Sequence, residues 1–163
     1  MDTILDVPAH PLLVHIPVMC VPLAAIGIVL LALRPGWRRP YGPIVVFLAG
    51  LGAVGGVLAA GSGESLQESR HIRDLGDHGE LGEMARNVAF LLFVLVVAWI
   101  ALDRWRTHPR VSRVPSWVSP VLTVLVVLAS VGGVAAVVAA GHSGAKKAWE
   151  HEGDERSLVV SGR

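Results

Sequence analysis

Seven histidines are spread along a chain of 163 residues. Neutral imidazole is a ligand for haem iron, zinc and copper, and helix bundles build such sites from side chains on facing helices. Two histidines open the first long apolar run, in His10-Pro11-Leu12-Leu13-Val14-His15-Ile16-Pro17. A metal-ligating side chain inside an apolar span costs free energy unless it has a partner, so His15 marks a candidate functional site. His78 stands just before the third apolar run and His142 at the end of the fourth. His10 and His15 lie five positions apart, about 140° around a helix, so they share no axis unless the helix breaks between them. His71 and His151 sit among acidic and basic neighbours and read as hydrogen-bonding residues, while His108 precedes Pro109 in a basic connection. Met19 and Met84 could serve as weak axial ligands.

The elements that position these residues follow from composition. With 53% hydrophobic and 17% charged residues and a mean hydropathy of +0.59, the chain is too apolar for a soluble domain of this size and reads as an all-α integral membrane protein. A net charge of +1 with the basic residues in short segments gives no nucleic-acid signal. The single cysteine, Cys20, lies within the first apolar run and reads as a small hydrophobe. It excludes both an intramolecular disulfide and covalent haem attachment through C-x-x-C-H.

Four spans are expected, at about 11–33, 43–61, 80–103 and 120–142, within a membrane domain of 11–145. A segment of ten residues precedes it, and the tail 146–163 is expected to hold a helical turn or two around Trp149 and then disorder. Residues 1–9 carry Asp2 and Asp6 and no Lys or Arg, the reverse of a signal-peptide start, so the first span is expected to stay as an anchor. Pro17 and Pro22 each remove a hydrogen bond from it and predict a kink. Residues 62–85 form the one substantial polar connection, where short amphipathic helices capped by Ser62 or Ser65 are expected. The charge-free run Asn87 to Leu102 is short, so the third helix must begin earlier, near Asp77 to Glu80, with Arg86 snorkelling outward.

Small residues recur every four positions in Gly52, Gly56 and Ala60, and again in Gly132, Ala136 and Ala140. Such faces let helix backbones approach closely. Val54-Gly55-Gly56-Val57 and Val131-Gly132-Gly133-Val134 also resemble each other, and each half of the chain is a hairpin with a basic turn. Two duplicated hairpins would produce this, and so would the general likeness of small-residue membrane helices. The turns hold Arg34, Arg38, Arg39, Arg104, Arg106, Arg110 and Arg113, with Trp105 and Trp117 as interfacial anchors. The positive-inside rule therefore puts the turns in the cytoplasm and both termini outside, although Lys146 and Lys147 weigh slightly against it. On that topology every histidine except His108 falls on the outer side.

The motif His10-Pro11-x-x-Val14-His15-x-Pro17, the His78-x-x-Leu81-Gly82 before span three and the closing Gly141-His142-Ser143-Gly144-Ala145 resemble a bacterial predicted-membrane-protein family, domain of unknown function twenty-two thirty-one. The likeness covers about residues 8–149. Family members look like four-helix proteins of the bacterial cytoplasmic membrane. Related domains occur fused to cytochrome c or Rieske-type modules, which implies a redox setting. Members commonly carry Phe where this chain has Ile16. The family brings no established activity.

No G-x-x-x-x-G-K-[ST], H-E-x-x-H or G-x-S-x-G motif occurs. Ser143 beside His142 is a poor nucleophile pair, because neighbours on a helix point about 100° apart. No catalytic residue is assigned. The leading expectation is a redox-associated subunit with a b-type haem at the outer face, its cofactor or metal ligands drawn from His15, His78 and His142, with His10 nearby, and an extracytoplasmic or membrane redox partner. The alternatives are an outer-face metal-binding protein, which lacks the intramembrane carboxylate a cation path would favour, and an accessory subunit without a cofactor.

Overall fold

The computed structural model describes residues 3–4, 7–70, 77–106 and 114–161, with side chains over 10–63, 79–106, 114–146 and at 149. Five helices carry the fold: α1 (Ala9–Leu13), α2 (His15–Leu33), α3 (Arg38–Arg70), α4 (Asp77–Arg104) and α5 (Val118–Ser161). A two-residue antiparallel pair, Thr3–Ile4 with Val7–Pro8, precedes them. Four stretches are long and apolar enough to cross a membrane: His10–Leu33, Pro35–Gly63, Gly79–Arg104 and Val118–Lys146. They pack as a ring in which α2 touches α3, α3 touches α4, α4 touches α5 and α5 returns to α2. A two-fold axis along the bundle would exchange the two hairpins in such a ring.

Residues spaced three and four apart fill the centre: Val21, Ala24, Ile28 and Leu31 from α2, and Ala89, Leu92, Val96 and Trp99 from α4. Val126, Ser130 and Val137 do the same from α5. That spacing keeps one seam of each helix against its neighbours at a shallow crossing angle. Larger apolar side chains such as Ile26, Phe47, Phe90 and Leu128 point outward instead. A soluble protein would hide them; a hydrocarbon surround solvates them at no cost.

Where a kink is expected, the hydrogen-bond ladder is interrupted at Val14 between α1 and α2, although Val14 keeps α-helical angles of φ −65° and ψ −22°. Pro17 has no N–H to offer the Leu13 carbonyl, and the interruption falls there. The chain nevertheless stays helical in direction, since Val14 N–H donates to the His10 carbonyl at 3.1 Å and Val18 N–H to the Val14 carbonyl at 3.2 Å. Pro22 is accommodated inside α2.

Three features depart from expectation. The polar connection is shorter than 62–85 because α3 runs on to Arg70, while α4 starts at Asp77 as its length requires. Ser62 is buried within α3, where its hydroxyl donates back to the Ala59 carbonyl at 2.9 Å and does not cap a new helix. The helix of the fourth span continues to Ser161, beyond the turn or two expected. Residues 146–161 contain no proline to stop the helix.

The small faces also differ from their reading. Gly52 and Gly56 are buried as expected; a Cβ on Gly52 would lie 2.8 Å from Val21 Cγ2. In α5 the close approach belongs to Gly133, whose Cβ would meet Val21, Leu92 and Val88, while Gly132 faces open space. Ala136 is buried with Gly133.

Candidate functional site

The ends of the bundle hold its chemistry. At the histidine end, α1 lies against the far half of α3. His10 Nδ1 is 2.9 Å from the Ala59 carbonyl and 3.3 Å from Ser62 Oγ. A carbonyl oxygen only accepts, so Nδ1 carries the proton and donates. The ring rests on Gly63, where a Cβ would stand 3.2 Å from His10 Cε1. His10 therefore clamps α1 to α3, and glycine at 63 makes room for it.

His15 is oriented differently. Its Nδ1 lies 2.6 Å from the Pro11 carbonyl one turn earlier, and the side chain is exposed. By the same reasoning Nδ1 bears the proton, and in the neutral ring Nε2 keeps its lone pair. A backbone carbonyl holding one imidazole N–H while the other nitrogen stays available is the arrangement that metal-ligating histidines use. His142 is also exposed, on α5. The next residue, Ser143, donates to the Ala140 carbonyl at 2.9 Å. Side chains of His71, His78, His108 and His151 lie outside the described residues. Met19 is 62% exposed and Met84 is 47% exposed, so neither thioether is enclosed by the bundle. Cys20 is a half-buried thiol.

The structure thus joins His10 to α3 and turns His15 and His142 to the surface. Among the described residues no three His, Cys, Asp or Glu side chains form a group able to hold a metal. The centre between the helices is filled by Leu92, Val96, Trp99 and Val126.

The opposite end contains a constellation that sequence reasoning passed over. Arg38 is buried, and its Nε donates to the Leu31 carbonyl at 3.1 Å. Its Nη1 reaches Asp103 Oδ1 at 3.5 Å, and the guanidinium lies 4.6 Å from the Trp99 ring centroid. Trp99 Nε1 donates to Thr123 Oγ1 at 2.9 Å, and that hydroxyl donates to the Ser119 carbonyl at 2.9 Å. One polar network therefore links α2, α3, α4 and α5. Arg38 looked like one more positive-inside arginine. The signal that could have singled it out was Asp103, an acid at the end of an apolar run, one turn after Trp99.

Against known proteins, the model of a family described as Predicted membrane protein (DUF2231) matches residues 6–155. The chain belongs to that family. The match spans all four apolar helices and takes in the histidine end, the arginine end and the Gly-Gly pairs alike. No curated protein and no solved structure matches the chain.

Proposed function

We propose that this protein is a small membrane subunit of a redox assembly, presenting His15 at the extracytoplasmic face as a ligand to a b-type haem bound against the outside of the bundle. The observation that carries the reading is the pairing of His15 Nδ1 with the Pro11 carbonyl on an exposed side chain. When bound, haem iron supplies reversible one-electron exchange. The chain's part is positional. Pro11 sets the tautomer and holds the ring, and the hydrogen bond raises the basicity of Nε2. His10 fixes α1 on α3 and so holds the turn that carries Pro11. The arginine asymmetry supports the orientation, with the histidine end outside. The second ligand comes from His142, from His78 or from a partner chain at the same face.

A reduced-minus-oxidised spectrum after mild detergent extraction tests this. The expected result is a haem signal that His15→Ala abolishes or shifts and His108→Ala leaves intact. A signal that survives loss of His15 overturns it. A second reading, an accessory subunit with no cofactor, draws on the filled seam around Trp99 and Leu92. It predicts no visible absorbance and no bound metal on elemental analysis.

A further inference from the structure

We propose that the arginine end binds an anionic glycerophospholipid, its phosphate held at the seam between the start of α3 and the end of α4 and its acyl chains laid along α3. The charge balance there is one-sided. Apart from Asp103, no Asp or Glu occurs from residue 84 to residue 149, nor from residue 7 to residue 63. Asp103 is already engaged by buried Arg38. Arg34, Arg39, Arg104 and Arg106 are exposed. Their positive charge attracts an anion from outside the chain.

Geometry brings together the segments that carry Arg34, Arg39 and Arg104. Gly42 lets Ile100 come close, since a Cβ there would lie 2.9 Å from Ile100 Cδ1, and this brings the two helices together. Arg104 Nη1 donates to the Arg39 carbonyl at 3.4 Å, which tethers the end of α4 to the first turn of α3. Beside it Trp37 and Tyr41 meet edge to face with centroids 5.9 Å apart, and the Arg34 guanidinium lies 5.9 Å from the Trp37 ring centroid. Amphipathic rings settle at headgroup depth, and guanidinium forks match phosphate oxygens.

The ligand is a lipid and not a soluble phosphate because the site continues into an apolar track. Tyr41, Ile44, Phe47, Leu51 and Val54 recur at spacings of three and four, and all are exposed. They form one stripe down α3 from the headgroup level, where acyl chains would lie. Basic clusters between helix ends on the cytoplasmic side are suited to anionic lipid heads.

Native mass spectrometry of the detergent-extracted full chain, incubated with phosphatidylglycerol or phosphatidylcholine, tests the proposal. Phosphatidylglycerol should be retained in preference and should raise the thermal midpoint. The double variant Arg39→Gln with Arg104→Gln should lower its retention by about tenfold. Arg34→Gln should lower it less, and Lys146→Gln with Lys147→Gln should not. Circular dichroism confirms that each variant folds; if the double variant does not, Arg34→Gln and Tyr41→Ala carry the test, and unchanged retention in both overturns it. Equal retention of the two lipids, equal loss in the lysine variant, or stabilisation of the same size by inorganic phosphate alone would also overturn it.

Discussion

At the arginine end, Arg38 folds back between helices to meet Asp103, Trp99 and the Leu31 carbonyl, whereas at the histidine end His15 and His142 turn out from the bundle. Residue type alone suggests the opposite. Histidines invite a reading as a convergent centre, and arginines beside a short turn invite a reading as topology signals. The difference lies in reach and charge. A guanidinium on a long stem can return to a half-buried carboxylate, and once desolvated it requires several partners at once. A neutral imidazole makes no such demand and is satisfied by a carbonyl one turn away.

The largest effect should come from removing one member of the arginine-end network. Asp103→Ala leaves buried Arg38 without its carboxylate but with the Leu31 carbonyl and the Trp99 ring, a loss of about 2–3 kcal/mol. Adding Arg38→Met should recover most of the loss, because the stranded charge goes with it. Unfolding in mixed detergent measures both. A loss for Asp103→Ala no greater than for His15→Ala would erase the contrast between the ends.

The Gly-Gly pairs sharpen the comparison within the hairpins. A Cβ on Gly55 would stand 2.5 Å from Ile16 Cγ2 and 2.9 Å from Pro17 Cδ, while on Gly132 it would meet nothing within 4 Å. Gly55→Ala should therefore destabilise by about 2 kcal/mol, since neither a β-branched stem nor a proline ring can yield. Gly132→Ala should be neutral or stabilise by up to about 1 kcal/mol through helix propensity. Thermal midpoints of the two variants in one detergent decide it; equal shifts would mean that the break at Val14 does not distinguish the hairpins.

Much of the fold was legible because a membrane demands long apolar runs and marks their ends with arginine and tryptophan. The start of α4 at Asp77 followed from length alone: Asn87 to Leu102 as helix is about 24 Å, too short to cross. The continuation of α3 to Arg70 did not, because Gly61, Ser62 and Gly63 look like a stop. The small size of Gly63 and the hydroxyl of Ser62 serve His10, which only the folded chain brings near. Likewise Gly132 and Gly133 are indistinguishable as letters, and the rotation of α5 decides which is covered. The candidate site was half legible: the motif pointed to His10 and His15, but five positions of spacing could not tell the clamp from the exposed ring.

The smallest stability effects separate those two histidines and carry the functional question. His10→Ala removes a hydrogen bond to a part-buried carbonyl and the contact with Gly63, a loss of about 1 kcal/mol. In the cofactor-free chain His15→Ala removes only an exposed ring bonded within its own turn and should change stability by less than about 0.5 kcal/mol. On the proposed reading, a histidine that contributes little to folding yet has its tautomer set by Pro11 serves a ligand and not the fold. If His15→Ala unfolds the protein as readily as His10→Ala, His15 is a packing residue and the haem reading loses its main support. If His15→Ala keeps the thermal midpoint of the cofactor-free chain but loses visible absorbance, the two histidines have divided structure and function between them across a single break in the helix.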